Sequence, residues 1–151
     1  MLGFGNRLRG DDGAGAAVAL AVGRWALPGV SVRVEHQLLP EMVEVLAEFD
    51  RVFFVDAIEG SGSLACRPLV PRLDHRWTYH GGDPESLLGL CLWLVGRAPD
   101  AELLAVPASC FELGASLSAS TRAGVSLALV WLRDVLGADM HHIAPAFQPL
   151  A

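Results

Sequence analysis

Val52-Phe53-Phe54-Val55 is an unbroken run of β-branched and aromatic residues, and it stops at Asp56. A run of this kind suits a central parallel strand covered on both faces, where no side of the strand meets water. The segments around it supply the covering helices. Upstream, residues 14–25 are alanine-rich and apolar on most sides, the pattern of a well-buried helix. Val30, Val32 and Val34 then alternate with Ser31, Arg33 and Glu35, which reads as a half-buried strand. Pro40 precedes an amphipathic helix over residues 41–49, with Met42, Val43, Val45, Leu46 and Phe49 as its apolar set. Downstream, Gly60-Ser61-Gly62 is a turn and residues 64–70 a further strand. Asp83-Pro84-Glu85 opens a helix with proline at its first position, continued through residues 87–94. Residues 103–106 give another short strand, and residues 121–136 a last helix capped around Ser118 or Ser120.

Strands separated by helices of this length imply βαβ units. The expected fold is therefore three-layer α/β, a mainly parallel twisted sheet with helices on both faces. No repeat, low-complexity tract or linker divides the chain, so residues 1–151 are expected to form a single domain. Gly3-Phe4-Gly5 is a turn that normally follows a strand, yet only Met1 and Leu2 precede it. The first strand is expected to be truncated, and its place in the sheet does not follow from the sequence.

Composition excludes several classes. With 52% hydrophobic and 19% charged residues the chain is a compact globular protein rather than a disordered one. A net charge of −6 and scattered arginines argue against nucleic-acid binding, which needs a basic face. An acidic surface suits a protein partner that presents basic residues. Cys66, Cys91 and Cys110 stand far apart and in no ligand spacing, which predicts reduced, buried thiols and a cytoplasmic location. No stretch reaches the roughly 20 apolar residues of a membrane span, and no signal peptide is visible. Residues 86–95, the longest apolar candidate, read as a buried helix.

In an open parallel sheet, ligands bind beyond the carboxyl ends of the strands. Three polar clusters fall at such positions. The first runs from Gly3 through Asn6 to Asp11-Asp12-Gly13 and Gly15. Its glycines permit a tight path, and Asn6 can bond its own loop. One of the two adjacent acids, Asp11 and Asp12, is expected to cap the first helix, which leaves the other free to face the crevice. A dinucleotide site is disfavoured because the third glycine of that fingerprint is missing and two aspartates stand where phosphate would sit. The second cluster is Val55-Asp56-Ala57, an acid directly after a buried strand, costly unless paired, hydrogen-bonded or bound to a cation. The third is Tyr79-His80-Gly81-Gly82, a histidine just before a helix. Two carboxylates and an imidazole suit a borderline divalent metal such as nickel or zinc. Three protein ligands leave coordination positions open for a substrate.

Gly3-x-Gly5-Asn6-x-Leu8-x-x-Asp11-Asp12-Gly13-x-Gly15 resembles the N-terminal signature of the hydrogenase maturation peptidases. The resemblance continues through His36-Gln37-Leu38, Val55-Asp56-Ala57, the His80 loop and Ser109-x-Phe111-Glu112-Leu113-Gly114. It implies an endopeptidase that removes the C-terminal extension from the nickel-loaded large subunit of a [NiFe]-hydrogenase. It further implies that Asp12, Asp56 and His80 ligate nickel that the precursor supplies, other divalent metals being able to substitute. The partner is then the large-subunit precursor, with neither nucleic acid nor membrane involved. The competing expectation is a noncatalytic metal-sensing or assembly-checking module on the same scaffold. Many relatives place the histidine nearer the Leu-Gly-Leu helix, where this chain has Ser86; His80, followed by Asp83-Pro84, fits a variant pattern, and His75 is second choice. Glu112 is expected to hold its loop by accepting backbone N–H bonds, and Trp25, Trp77, Trp93 and Trp131 to pack in the core or between helices.

Overall fold

The computed structural model describes residues 1–60, 62–73 and 82–139. Its strands are β1 (Leu2–Phe4), β2 (Arg33–Glu35), β3 (Arg51–Glu59), β4 (Ala65–Pro68) and β5 (Asp100–Ala108). Its helices are α1 (Ala14–Gly23), α2 (Val43–Leu46), α3 (Pro84–Val95) and α4 (Ala119–Asp139), and tight 3-10 turns at Gly10–Gly13 and Pro40–Met42 lead into α1 and α2. The strands lie in the order β2-β1-β3-β5-β4. All neighbours are parallel except β4, which runs antiparallel to β5 at the edge. The expected mainly parallel α/β sheet is thus present.

Alternation along the central strands divides the core in two. Val52 and Phe54 of β3, with Ala101 and Leu103 of β5, pack with Val43 and Leu46 of α2 and Leu87, Leu88 and Cys91 of α3. Phe53 and Val55, with Leu104 and Val106, turn the other way onto Val18 and Val22 of α1 and Ala128 and Leu132 of α4. Helices therefore cover both faces, which is why the run at 52–55 carries no polar residue. Trp131 meets Phe53 edge to face, ring centroids 5.7 Å apart. Trp93 departs from expectation and is 68% exposed on α3.

Helix α1 sits almost on the backbone of the sheet. A Cβ at Gly15 would lie 2.3 Å from the Val55 oxygen and 2.5 Å from the Phe4 oxygen, so only glycine allows this approach. That contact explains one glycine of the N-terminal signature and fixes the start of α1 over the β1–β3 seam.

Several boundaries differ from the sequence pattern. The alternating stretch at 30–35 is a strand only at Arg33–Glu35, because β1 offers it three partners, from Leu2↔Arg33 to Phe4↔Glu35. β1 itself is paired on both sides, with β2 and with β3. β3 does not end at Asp56; β5 carries it on to Glu59, paired with Ala108. The helix expected over 41–49 is a 3-10 turn followed by the single turn of α2. Asp83 caps α3 as expected, accepting the Ser86 amide at 2.7 Å, with Pro84 at the first helical position. Among the cysteines, Cys91 is buried, Cys110 half-buried and Cys66 exposed on the edge strand, so the expectation of three buried thiols holds for one. Among the described residues no helix is long and apolar enough to cross a membrane.

Candidate active site

The sheet reverses its direction of growth at β1 and β3: the chain winds outward to β2 on one side and to β5 on the other. A crevice opens at the carboxyl ends of strands flanking such a crossover. β1 stays paired with β3 only as far as Gly3↔Val55, while β3 runs on beside β5. Asp56 is the first residue of β3 past the end of that pairing, and it is half-buried. By alternation it shares the face of Val52 and Phe54, the side covered by α2 and α3.

The loop after β1 brings the second acid. Gly5, at φ +129°, donates its amide to the Glu35 oxygen at 3.2 Å, and a Cβ there would lie 2.0 Å from the Asp12 backbone oxygen. Asn6 organises the turn: its side-chain oxygen accepts the Leu8 amide at 2.9 Å and its carbonyl accepts the Arg9 amide at 3.0 Å. Its own amide donates to Asp12 Oδ2 at 2.7 Å, so the loop folds around the Asp12 carboxylate. Asp12 is half-buried, and its negative charge acts on Asp56. Burial pushes the Asp56 carboxyl up to about 7; the Ala57 amide, 2.8 Å from Oδ1, pulls it back, and Asp12 adds to the rise. Asp12, in the turn before α1, and Asp56, past the β1 pairing on β3, are thus near enough for one charge to raise the other group's pKa, and a cation or a proton between two such carboxylates would relieve that repulsion.

His80 and its alternative His75 lie outside the described residues, as do Trp77, Tyr79, His141 and His142. Gly82 donates to the Leu38 oxygen at 3.4 Å, in the stretch that follows β2. Among the described residues no three histidine, cysteine, aspartate or glutamate side chains gather to hold a metal. His36 is exposed beyond the end of β2. Two hollows, an apolar one of about 30 Å³ beside Leu2 and Val52 and a groove of about 440 Å³ beside Arg51 and Asp100, lie towards the amino ends of the strands. Neither is lined by Asp12 or Asp56.

The role of Asp11 corrects the sequence reading. Neither acid of the pair caps α1, whose N-cap is Gly13 with no side-chain bond. Asp11 is completely buried and bonds to the segment between β5 and α4. There it accepts the amides of Ser109 and Cys110 at 2.9 Å each and that of Ser118 at 2.6 Å, with the Ser118 hydroxyl at 2.8 Å. Burial alone would raise this carboxyl; the four donors together hold it well below the usual carboxylate range. Glu112, expected to hold this loop, is exposed, and Asp11 does so instead. The signal was weak: an acid at 11 and donors about a hundred residues on share no local pattern.

No family model matches the sequence, and no curated protein matches it. Solved structures do. The [NiFe] hydrogenase maturation protease HycI from Thermococcus kodakarensis KOD1 superposes with a TM-score of 0.69 at 22% identity, over 90% of each chain. The hydrogenase 2 maturation peptidase from Thaumarchaeota archaeon SCGC_AB-539-E09 gives 0.68 at 27% identity, over 90% of this chain and 96% of that one. The hydrogenase maturating endopeptidase HybD from E. coli gives 0.63 at 21%, over 91% of each.

Proposed function

We infer that this chain, a member of the [NiFe] hydrogenase maturation protease family, is an endopeptidase that trims the C-terminal extension of a nickel-loaded hydrogenase large subunit. The observation that carries the reading is that Asp12, held by the signature loop, lies near enough to Asp56, at the crossover of β1 and β3, for its charge to act there. An acid pair whose second carboxyl resists ionisation favours a divalent cation at that point. On this reading Asp12, Asp56 and His80 each give one ligand to nickel that belongs to the precursor. The remaining positions are filled by the precursor itself, so the ion serves as the mark by which a loaded subunit is recognised. When seated, nickel supplies Lewis-acid chemistry beside the bond to be cut. Asp12 and Asp56 orient that mark at the mouth of the crevice, where the extension can lie across the strand ends. Work on a precursor that receives its metal inside the cell goes with a cytoplasmic location.

The test is incubation of the purified protein with precursor in nickel-loaded and metal-free form, followed by mass spectrometry. We expect the loaded precursor to lose its extension and the metal-free one to stay intact, with Asp12→Asn and Asp56→Asn inactive on both. Trimming of the metal-free precursor at an equal rate would overturn recognition through nickel. Tight binding of the loaded precursor without any cleavage would overturn the peptidase reading.

A further inference from the structure

We propose that Asp11 is a positioning residue: its buried carboxylate locks the 109–118 segment to the turn that carries Asp12, and so sets where the Asp12 carboxylate points. The proposal deepens the reading of Asp12 as a metal ligand and rests on it. Asp11 and Asp12 are successive residues of one 3-10 turn, Gly10–Gly13, so any shift of the backbone at one moves the other. Asp11 is tied from two sides. Its carboxylate takes Ser109, Cys110 and Ser118, while its own amide donates to the Cys110 oxygen at 2.7 Å. The two loops are joined again where Gly114 donates to the Leu8 oxygen at 2.7 Å and Arg9 Nε to the Phe111 oxygen at 3.3 Å.

The far end of this lock is rigid. Ser118 also caps α4, its hydroxyl accepting the Thr121 amide at 3.3 Å. Thr121 is buried and donates its own hydroxyl to the Pro107 oxygen of β5 at 2.9 Å. Asp11 therefore keys the Asp12 turn to the end of β5 and the start of α4 together. By contrast, the one contact described for the Asp12 carboxylate is the Asn6 amide at 2.7 Å. The orientation of Asp12 depends on where the turn is held.

The lock requires a carboxylate rather than any polar group of the same shape. Oδ1 faces the Ser118 amide, and Oδ2 faces two amides and a hydroxyl. An asparagine must place its NH2 against donors whichever way it flips, so Asp11→Asn keeps the volume and breaks the match.

The experiment uses the Asn6 amide as a reporter of Asp12 in the wild type, Asp11→Asn and Ser118→Ala. Proton shifts and hydrogen exchange are recorded at a temperature where circular dichroism shows each protein folded, and nickel affinity is titrated alongside. In Asp11→Asn we expect Asn6 to lose at least about tenfold in protection, with amides of the β3–β5 ladder unchanged. Loss of such a supporting contact weakens metal binding by about 10–100-fold, the drop expected for nickel. Ser118→Ala, which removes one donor of four, gives a smaller change in the same direction. Wild-type behaviour at Asn6 and towards nickel, with only a lower melting temperature, would overturn the proposal and leave Asp11 a stabilising residue. If Asp11→Asn fails to fold, an unmoved Asn6 amide in Ser118→Ala overturns it equally. A wild type that neither binds nickel nor trims precursor refutes the functional reading, while the Asn6 comparison still decides for or against the lock.

Discussion

Removing the charge at Asp56 should make the metal-free protein more stable, by an amount that grows as pH rises from 3.8 to about 7. The carboxyl titrates near 3.8 when the chain is unfolded and at about 7 when folded. Its folded value is raised, so well below 3.8 it is protonated in both states and has no effect. Between the two values the unfolded chain loses the proton first, and stability falls as pH rises until the folded group ionises too. Each pKa unit corresponds to about 1.4 kcal/mol, which sets an upper figure of about 4 kcal/mol across the window. Asp56 is half-buried, and water screens part of this, so about 2–4 kcal/mol is the working magnitude. For a domain of this size that is a melting-temperature difference of roughly 5–15 °C. The assay compares wild type and Asp56→Asn by thermal melts at pH 4.5, 6 and 8 with chelator present. We expect the advantage of Asp56→Asn to reach about a quarter of its full size at pH 4.5, about two thirds at pH 6 and nearly all of it at pH 8. Asp12→Asn should flatten the wild-type slope only in part, since burial is the main cause of the shift and Asp12 a lesser one. A pH-independent gap between wild type and Asp56→Asn would refute the reasoning.

Gly15→Ala should cost about 1–3 kcal/mol by forcing α1 off the Phe4 and Val55 oxygens, and an unchanged urea midpoint would contradict that contact. Asp83→Ala loses the α3 cap and the 2.7 Å pair with Arg72, for about 1 kcal/mol from the cap and little from the exposed pair. High salt should therefore leave most of that loss in place. Phe54→Ala, at a fully buried position of β3, should cost about 3–5 kcal/mol by denaturant unfolding.

Those three substitutions sit on features that the sequence displayed openly. The run at 52–55 declared a strand buried on both faces because every residue in it must face a helix. Asp83-Pro84 declared a helix start because its chemistry acts within three residues. What the sequence did not display was set by partners distant along the chain. β2 is short because β1 is short, which no alternation at 30–35 could reveal. β3 outruns Asp56 because β5 continues beside it. That Asp56 falls where β3 outruns β1 accords with the crossover rule, which needs only the order of strands and helices.

The adjacent acids mark the limit of such reading. Asp11 and Asp12 are alike in type and neighbours in sequence, and local rules gave one of them to the cap of α1. A cap serves a helix through its first amides, but here a 3-10 turn intervenes and Gly13 takes that position. Freed from capping, the buried acid finds its donors across the fold in Ser109, Cys110 and Ser118. This has a consequence for the half-buried one. A carboxylate with four donors has no need of a cation, whereas Asp12 has the Asn6 amide and lies near enough to Asp56 for its charge to act there, which is what the proposed metal would answer. The fold thus separates two identical side chains by satisfying one of them, and it leaves Asp12 with Asp56 at the crossover, the pair proposed above to meet the metal.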